Sequence, residues 1–538
     1  MEPRQRTSLS VFFPLFLALM LAAGLVIGYG LRDTRSAMPG FLVSRQPVAS
    51  DKIGQVIELL DHQYVDTVHQ DELVDEVIED LLQRLDPHSY YISHRDLRAA
   101  QEPLEGSFEG IGVEFAIQED TVVVIAPVEG GPSEKLGIRA GDRFLSADGK
   151  NMAGVGITSQ DVMDHLRGPG GSKVVVSILR KGRKPFDVEI ERGKIPINSV
   201  AAALLTPDNV GYIKLVRFAR TTHEEFVAAA QDLLKKGMVR LVLDLRGNGG
   251  GFLDQAIELA DELLPSGRMI VYTEGRMHPR KDERATGGGL LETIPLAVLI
   301  DEGSASASEI IAGAIQDNDR GMIVGRRSFG KGLVQEHILL PDSSAVRITT
   351  ARYYTPAGRS IQRPYGQGID YEGDLESRFE HGELVSADSI ELDSTKAYTT
   401  LGGRTVFGGG GIMPDVFVPA DTAESSEYMS ELFYTGTLNQ FTFNVADRDR
   451  TALEGYGDAA AYTARYRVSD ALLNELSAYA EKQGIAPDRS ALQRSRRPLS
   501  ARVKAGIARN VWGAQGYYAI LLDTDTIFQR AKAELVGR

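Results

Sequence analysis

The strongest constraint on the fold is an apolar run that passes directly into a helical pattern through a cluster of serines. Residues 295–300 are all apolar, as in a buried strand, and residues 308–315 carry apolar side chains at helical spacing. A strand therefore turns into a helix near Ser306. Such a junction exposes a side chain at a helix N-terminus, where unpaired N–H groups and the helix dipole favour developing negative charge. This position suits a nucleophile.

A serine hydroxyl needs a base that removes its proton, and histidine is the usual base. The nine histidines are scattered, and His337, the only one near the serines, lies in a run typical of a strand. Lys331 is the better candidate, because Gly330 and Gly332 on either side of it allow close backbone approach. A lysine base must be neutral. Lowering its pKa from about 10.4 to near 7 costs roughly 4 kcal/mol, which burial can supply.

Other interpretations of these residues stay open at this point. Ser306 and Glu309 fit a capping box, in which the serine only closes the end of the helix. Lys331 taken alone would be an ordinary surface lysine. Spacing does not choose among Ser304, Ser306 and Ser308 as the nucleophile.

Two segments taken together resemble one enzyme family. Residues 303–310 form the string GSASASEI and residues 328–335 form SFGKGLVQ, in the order and spacing of the C-terminal processing peptidases, or tail-specific proteases, of family S41. These are serine proteases with a Ser/Lys dyad, and they need no metal or organic cofactor. The resemblance implies that Ser306 is the nucleophile, Lys331 the general base and Gln335 the residue that orients the lysine. It favours catalysis over capping for Ser306.

A layered α/β catalytic domain is predicted over residues 195–420, because strand and helix patterns alternate there. After a buried strand, residues 246–251 form a glycine-rich loop that could cradle a phosphate, but it lacks the order and the lysine of a P-loop. The family resemblance assigns this loop to the oxyanion hole instead. An N–H group of Gly249 or Gly250 would then act beside that of Ala307.

A separate module is predicted over residues 107–194. Gly110 and Gly112 flank Ile111 just before a strand that begins at Val113, and the order of turns, strands and short helices that follows resembles a PDZ domain. A glycine loop of this kind aims backbone N–H groups at a peptide carboxylate, while the edge strand accepts the peptide. Gly110, Ile111, Gly112 and Val113 are therefore predicted to bind peptide.

Arg167 lies at the end of the second helix of this module. In the family that the sequence resembles, an arginine at this position couples a peptide-bound PDZ domain to an active protease, which implies a regulatory role here. The alternative is a surface arginine whose aliphatic stem packs beside Pro169. The sequence alone does not separate the two.

The N-terminus predicts a membrane anchor. Residues 11–31 carry no charge and would span about 31 Å as a helix, enough for the hydrocarbon core. Arg4 and Arg6 precede this run and no clear small-residue cleavage site follows it, which favours an uncleaved anchor over a cleaved signal peptide. We therefore predict a single-pass protein of the bacterial inner membrane. Residues 1–35 would form the cytoplasmic tip and anchor, with the catalytic body in the periplasm or extracytoplasmic space.

Helical regions are predicted on both sides of this catalytic body. Residues 36–106 carry two amphipathic helical patterns and resemble the family's N-terminal helical region, which implies a homodimer as one arrangement. Residues 364–410 are polar, acidic and rich in glycine, which indicates a surface insertion in the catalytic domain. Residues 421–538 regain helical periodicity, and the sequence leaves their role open.

Composition excludes several classes of protein. The 538 residues, 43% hydrophobic and 25% charged, are enough for about three or four domains. The net charge of −15 argues against nucleic-acid binding, which needs a basic face. The absence of cysteine excludes a disulfide framework, a thiol nucleophile and a cysteine zinc site. The expected partners are a membrane and protein substrates with apolar C-terminal tails.

The sequence thus predicts an α/β serine-protease core with an inserted PDZ domain, helical N- and C-terminal regions and one N-terminal transmembrane helix. The predicted activity is endoproteolysis of exported proteins. Two other classes stay open: a PDZ tail-binding scaffold with a silent protease, and a crotonase-like acyl-CoA enzyme with a comparable layered core. The second class explains neither the PDZ module nor the paired serine and lysine strings.

Overall fold

The computed structural model describes residues 18, 20, 22, 24 and 49–537. The predicted membrane segment, residues 11–31, lies outside the described residues except at the four isolated positions. Within the residues that are described, no helix is both long and apolar enough to cross a membrane. The chain divides into two units after Glu76.

Two amphipathic helices, α1 (Ala49–Gln63) and α2 (Gln70–Gln83), open the described chain. Both have apolar residues at helical spacing, as the sequence predicts. The apolar side chains of Ile53, Val56 and Leu59 in α1 are about half exposed, at 46%, 53% and 53%. These three side chains form a partly exposed apolar stripe along α1.

The region predicted as helical also contains a strand. After α2, the short strand β1 (Tyr90–Ile92) precedes helix α3 (Leu97–Glu105), which ends at Gly106 in the left-handed conformation. Strand β1 pairs antiparallel with residues of a much later strand, Ala345 to Arg347. Three residues are too few for a period-two pattern to be visible in the sequence, so only this long-range pairing reveals the strand.

The PDZ module folds as a small β domain. Its elements are β2 (Ser107–Gly110), β3 (Val113–Gln118), β4 (Thr121–Pro127), α4 (Pro132–Lys135), β5 (Arg143–Ala147), β6 (Lys150–Asn151), α5 (Ser159–Leu166), β7 (Lys173–Leu179), β8 (Phe186–Glu191) and β9 (Gly193–Pro196). The main sheet has the order β3-β4-β5-β7-β8, with β6 on β5, while β2 and β9 pair at the entry and exit. Strand β3 therefore forms one edge of the sheet.

The catalytic domain alternates strands and helices. Its elements are β10 (Val200–Leu205), β11 (Val210–Leu215), α6 (Thr222–Lys235), β12 (Arg240–Asp244), α7 (Leu253–Asp261), β13 (Met269–Glu274), β14 (Lys281–Arg284), β15 (Leu296–Ile300), α8 (Ala307–Asp317), β16 (Met322–Gly325), β17 (Leu333–Leu339), β18 (Ala345–Tyr354), α9 (Asp374–Glu380), β19 (Ala397–Thr399), β20 (Thr405–Phe407) and β21 (Val416–Phe417). The predicted α/β core is confirmed.

Two large sheets carry most of these strands, and β19 and β20 form a separate two-stranded sheet. The central sheet has the order β10-β11-β12-β15-β16-β21, and all its pairs beyond β10–β11 are parallel. Helices α6, α7 and α8 pack on one face of it through a continuous apolar core. A second, antiparallel sheet joins β1, β18, β13 and β14, with β17 also paired to β18. Because β17 follows the FGKG string directly, the second sheet fixes the lysine loop against the helix that follows the serines.

The predicted insertion, residues 364–410, contains α9, two single-turn 3-10 helices and the β19–β20 hairpin. This segment does not lie only on the surface, because Arg378 and Glu383 are both buried. The Arg378 guanidinium donates to the backbone oxygen of Arg327 at 2.9 Å, just before the lysine loop. The insertion therefore packs against the loop that carries Lys331.

The C-terminal region is helical, as predicted. Its helices are α10 (Glu427–Tyr434), α11 (Thr437–Arg448), α12 (Arg450–Glu454), α13 (Ala459–Arg465), α14 (Asp470–Lys482), α15 (Arg489–Arg494), α16 (Arg496–Leu521) and α17 (Thr526–Val536). Helices α10 to α16 share an apolar core of their own. Helix α17 instead covers the second face of the central sheet, where Phe528 and Ala531 pack with Val242, Ala297 and Leu299. The catalytic core is thus a three-layer α/β/α sandwich completed by the last helix of the chain.

Candidate active site

Ser306 lies at the junction between strand β15 and helix α8. Its backbone has φ +55° and ψ −114°, a conformation that is costly for a residue with a side chain. The helix begins at the next residue, Ala307. Ser306 and Ala307 both line a cavity of about 710 Å³. The strained turn therefore places the serine at the helix N-terminus, facing a cavity large enough for several residues of a peptide.

The glutamate of the predicted capping box has a wider role than closing a helix. The fully buried carboxylate of Glu309 accepts the backbone N–H of Ser306 at 2.8 Å. It also accepts the backbone N–H groups of Gly330 and Lys331, at 2.7 and 2.9 Å, and the Ser328 hydroxyl at 2.6 Å. One carboxylate thus joins the serine loop to the lysine loop.

Two opposing effects set the pKa of the Glu309 carboxyl. Burial raises the pKa of its carboxyl to about 7, while the hydrogen bonds from Ser328, Lys331, Gly330 and Ser306 oppose this rise by favouring the anion. The sequence signal for this residue is a glutamate three positions after the serine, which is also what an ordinary cap requires. Only the folded chain shows that the same carboxylate reaches the second loop.

Lys331 lines the same cavity as Ser306. Burial and, to a lesser degree, the positive charge of Arg347 lower the pKa of its ammonium to about 8. In the part of the chain that the structure describes, no carboxylate lies within ion-pair distance of this ammonium. Lys331 is therefore a lysine that loses its proton near neutral pH, as a general base must.

Tyr353, on β18, contacts both the serine loop and the lysine loop. Its hydroxyl is buried and donates to the backbone oxygen of Ser306 at 3.1 Å and to that of Lys331. Nothing in the sequence pattern marks this tyrosine, because β18 pairs with the lysine strand only in the folded chain. It stabilises the relative position of the Ser306 loop and the Lys331 loop.

Gln335, predicted to orient the lysine, lines the cavity as well. Its side-chain Nε2 is buried and has no hydrogen-bond partner within the described residues. No hydrogen bond joins it to Lys331 in those residues. The structure therefore brings Gln335 into the site, with its amide donor unused.

The predicted oxyanion groups come together beside Ser306. Gly249, Gly250 and Ala307 all line the cavity. The N–H of Gly250 is already used, because it donates to the side-chain oxygen of Asn248 at 2.9 Å. The N–H groups of Gly249 and Ala307 have no such partner in the described chain. Of the two predicted glycines, the geometry favours Gly249 as the donor and gives Gly250 a steric role.

That steric role is visible in the space around Gly250. Its φ is +98°, and a Cβ atom there would lie 2.8 Å from the Cβ of Ser306 and 3.0 Å from the backbone nitrogen of Ala307. No other residue type fits without displacing the nucleophile. The glycine loop therefore has to pass directly against the serine.

Two further side chains, Arg347 and His88, lie near the lysine. Arg347, on β18, lines the cavity and donates to the Tyr90 hydroxyl at 2.9 Å. His88 lies beside the lysine loop, with its Nε2 at 2.8 Å from the Tyr371 hydroxyl. Burial and, to a lesser degree, the positive charge of Lys331 lower the pKa of His88 to about 4. His88 is therefore neutral at physiological pH and does not compete as a cation.

The predicted peptide loop has the geometry of a PDZ carboxylate-binding loop. Gly110 ends β2, Ile111 and Gly112 form the turn, and Val113 begins the edge strand β3. Gly112 has φ +74°, and a Cβ there would meet the side chain of Ile195 at 2.9 Å. Within the described residues β3 pairs only with β4, so its outer edge is open to a further strand.

Arg167 connects this module to the catalytic cavity. It caps the C-terminus of α5, and its guanidinium pairs with Glu102 on α3 at 2.6 Å. The neighbouring α3 residues Leu104 and Glu105 line the cavity that contains Ser306. Arg167 therefore contacts helix α3, and its regulatory role stays a prediction.

Comparison with known proteins agrees with this geometry. Residues 209–372 match the model of peptidase family S41, and residues 123–180 match a PDZ domain. A carboxy-terminal-processing protease of Bartonella bacilliformis is 39% identical over 319 residues, covering 58% of this chain and 72% of that relative. The chain belongs to peptidase family S41. This S41 protein is accordingly a serine-type carboxy-terminal processing hydrolase with a PDZ domain, and the family predicted from the sequence is confirmed.

Other relatives of this S41 protease carry similar names. The carboxy-terminal processing protease CtpB of Bacillus subtilis is 33% identical over 324 residues, covering 60% of this chain and 67% of its own length. Among solved structures, a photosystem II D1 C-terminal processing protease covers 70% of this chain and 95% of its own, at 28% identity and a TM-score of 0.35. Residues 428–513 match a family of unknown function. The family match and the named relatives favour peptide hydrolysis over the acyl-CoA alternative, and they leave the helical C-terminal domain without an assigned role.

Proposed function

We propose that Ser306 and Lys331 form the catalytic dyad of an endopeptidase that cuts exported proteins carrying apolar C-terminal tails. One observation carries this proposal: both residues line a single cavity, and the carboxylate of Glu309 holds their two loops together. The partly desolvated Lys331 has a pKa of about 8, so a useful fraction is neutral at pH 7 to 8. A serine that only caps a helix and an ordinary surface lysine would not be expected to line one cavity with both loops bound to the same carboxylate.

The reaction follows from these positions. Neutral Lys331 accepts the proton of the Ser306 hydroxyl as its Oγ attacks the scissile carbonyl. The N–H groups of Ala307 and Gly249 stabilise the oxyanion that forms. Protonated Lys331 then gives its proton to the leaving amine, and a water molecule deprotonated by neutral Lys331 hydrolyses the acyl-enzyme. Gln335, whose amide donor is unused, is proposed to align substrate or lysine during these steps.

Tail recognition is assigned to the PDZ domain. The terminal carboxylate would accept backbone N–H groups of the loop formed by Gly110, Ile111, Gly112 and Val113, while the tail adds to β3 as a further strand. The space between β3 and α5 is lined by apolar residues of the domain core, which suits apolar terminal side chains. Because Arg167 ends α5 and pairs with Glu102, a tail that shifts α5 would change the wall of the catalytic cavity.

The location and assembly are also proposals. The uncharged run at residues 11–31 supports a single-pass anchor in the bacterial inner membrane, with the catalytic body in the periplasm. The exposed apolar stripe of α1 supports a homodimer formed through the N-terminal helices.

The activity is tested with the full chain in detergent micelles and an unfolded reporter with an apolar tail. The reporter ends either in a free carboxylate or in an amide. We expect the parent to cut the free-carboxylate reporter faster, and Ser306→Ala and Lys331→Ala to cut neither. Ser266→Ala and Lys281→Ala, at exposed positions, serve as matched controls and should cut like the parent. Equal cutting by the parent and the two dyad variants would refute the proposed dyad.

A further inference from the structure

The helical domain, defined here as α10 to α16, covers one face of the PDZ sheet. Val122 and Val124 of strand β4 lie in the apolar core of the PDZ domain. Because side chains alternate along a strand, Val123 lies on the opposite face. Val123 is nevertheless fully buried, at 0% exposure. Something outside the PDZ core therefore covers this outer face.

The covering surface belongs to helices α11 and α16. Phe115, Ala116 and Ile125 of the PDZ domain line a small cavity of about 190 Å³ together with Phe443 of α11 and Gly506 of α16. Phe443 is only 2% exposed, yet among the described residues it is not part of the apolar core of the helical domain. Phe443 therefore lies at the boundary with the PDZ domain, where it lines this cavity.

Polar contacts surround this apolar centre. Arg509 of α16 pairs with Glu114 of the edge strand β3 at 2.8 Å, and both side chains are about half exposed. Near the β4–β5 turn, a Cβ on Gly141 would lie 2.5 Å from a carboxylate oxygen of Asp447 on α11. The helical domain thus contacts the PDZ sheet at two separated places, next to its peptide edge and at its far turn.

The helical domain is held to the catalytic domain far more firmly. Helix α17, which follows it directly, buries Phe528 and Leu535 against the central sheet. Asp525, the residue that caps α17, pairs with Arg246 at 2.6 Å beside the glycine loop. Apolar burial of this kind is strong and does not depend on salt, whereas an exposed ion pair is weak and screened. The helical domain therefore stays with the catalytic domain.

The helical domain leaves the peptide edge open. A tail adds to β3 in the plane of the sheet, while α11 and α16 lie against its face. We propose that the helical domain acts as a brace for the PDZ domain. It holds the PDZ domain in the orientation from which a substrate with a bound tail extends into the catalytic cavity. The inference rests on the proposed function, and it gives a role to the segment, residues 428–513, that matches a family of unknown function.

Charge reversal across the brace tests this role. We expect Arg509→Glu to lower kcat/KM on the free-carboxylate reporter about two- to fivefold, because two like charges then face each other. Glu114→Arg should do the same, and the double reversal should restore the parent value. For Arg509→Glu, which changes no residue of the dyad or of β3, cutting of the amidated reporter and the Kd of a free tail peptide should not change. Arg530→Glu, on the exposed side of α17, is the matched control.

A cross-link provides a second test that does not depend on the strength of one ion pair. The chain has no cysteine, so Glu114→Cys with Arg509→Cys introduces the only two thiols. A short bis-maleimide joining them would fix the contact. A brace predicts that the cross-linked protein keeps tail-dependent cutting, whereas a contact that must open for activity predicts its loss. Each single-cysteine variant treated with the same reagent controls for the modification itself.

The outcomes separate this inference from the proposed function. A parent that cuts neither reporter refutes the proposed function. A parent that cuts, with charge-reversed variants that behave identically to it, refutes the brace. Tighter tail binding and faster cutting after Arg509→Glu, or loss of cutting on cross-linking, would also overturn the brace, because the contact would then be inhibitory.

Discussion

The buried carboxylate of Glu309 accepts the backbone N–H of Lys331 at 2.9 Å, across 22 residues of chain. The same carboxylate holds the N–H of Ser306. A single acceptor therefore sets the separation between the nucleophile loop and the base loop. Reactions of this type depend steeply on such a separation, because an error of about 1 Å can cost on the order of 100-fold in rate.

Replacing Glu309 tests that relationship. Glu309→Gln keeps the shape but turns one acceptor oxygen into an NH2 donor that would face backbone N–H groups. We expect kcat to fall on the order of 100-fold with a smaller change in KM, measured on the free-carboxylate reporter. Glu302→Gln, in the same loop but paired with Arg326, should stay near the parent. Equal effects of the two changes would contradict the special position of Glu309.

The pH dependence of cutting should report Lys331. Its pKa is lowered to about 8, so the ammonium predominates below that pH and the neutral base above it. We therefore expect kcat/KM to rise with pH and to level off above about 8. The charged or titratable groups that act on Lys331 are Arg347, Glu309, Asp86 and His88, and of these His88 is neutral across this range.

Removing the charge of Arg347 should shift the pH profile in a defined direction. Its positive charge disfavours protonation of Lys331, so Arg347→Gln should raise the lysine pKa and move the profile to higher pH. Arg347→Lys retains the charge and should leave the midpoint in place. A midpoint that does not move in Arg347→Gln, or that moves to lower pH, would contradict the assignment of Lys331 as the titrating base.

The two glycines of the oxyanion loop should differ sharply. A Cβ at Gly250 would lie 2.8 Å from the Cβ of Ser306, whereas a Cβ at Gly249 meets nothing within 4 Å. Gly250→Ala should therefore lower kcat on the order of 100-fold in a folded protein, because the nucleophile is displaced. Gly249→Ala keeps its N–H group and should remain close to the parent. A larger loss of kcat in Gly249→Ala than in Gly250→Ala would show that the loop follows a different path.

The buried ion pair between Asp317 and Arg359 should be needed for stability. Asp317, at the end of α8, pairs with Arg359, and both side chains are fully buried. Asp317→Asn leaves the guanidinium without a counter-charge, which costs about 3–5 kcal/mol and should lower Tm by roughly 10 °C. Lys173→Ala, which breaks the exposed pair with Glu189, should leave Tm unchanged. Circular dichroism on both variants measures this, and equal Tm values would contradict it.

The sequence by itself determined the elements of the site. An apolar run followed by helical spacing fixes a strand–helix junction at Ser306, and Gly330 and Gly332 mark the lysine loop, because these signals are local in the chain. The alternating pattern of the catalytic domain and the glycine loop at Gly110 to Val113 are local in the same sense. A family resemblance then converts these local signals into roles for Ser306 and Lys331.

Only the tertiary structure decided what joins these elements. Glu309 looks like an ordinary cap until its carboxylate reaches Lys331, and Tyr353 has no distinguishing pattern until β18 pairs with β17. The helical domain and α17 gave no sign in sequence of covering the PDZ sheet and the second face of the core. The physical reason is that hydrogen bonds, desolvation and packing depend on residues that are distant in the chain and adjacent only after folding.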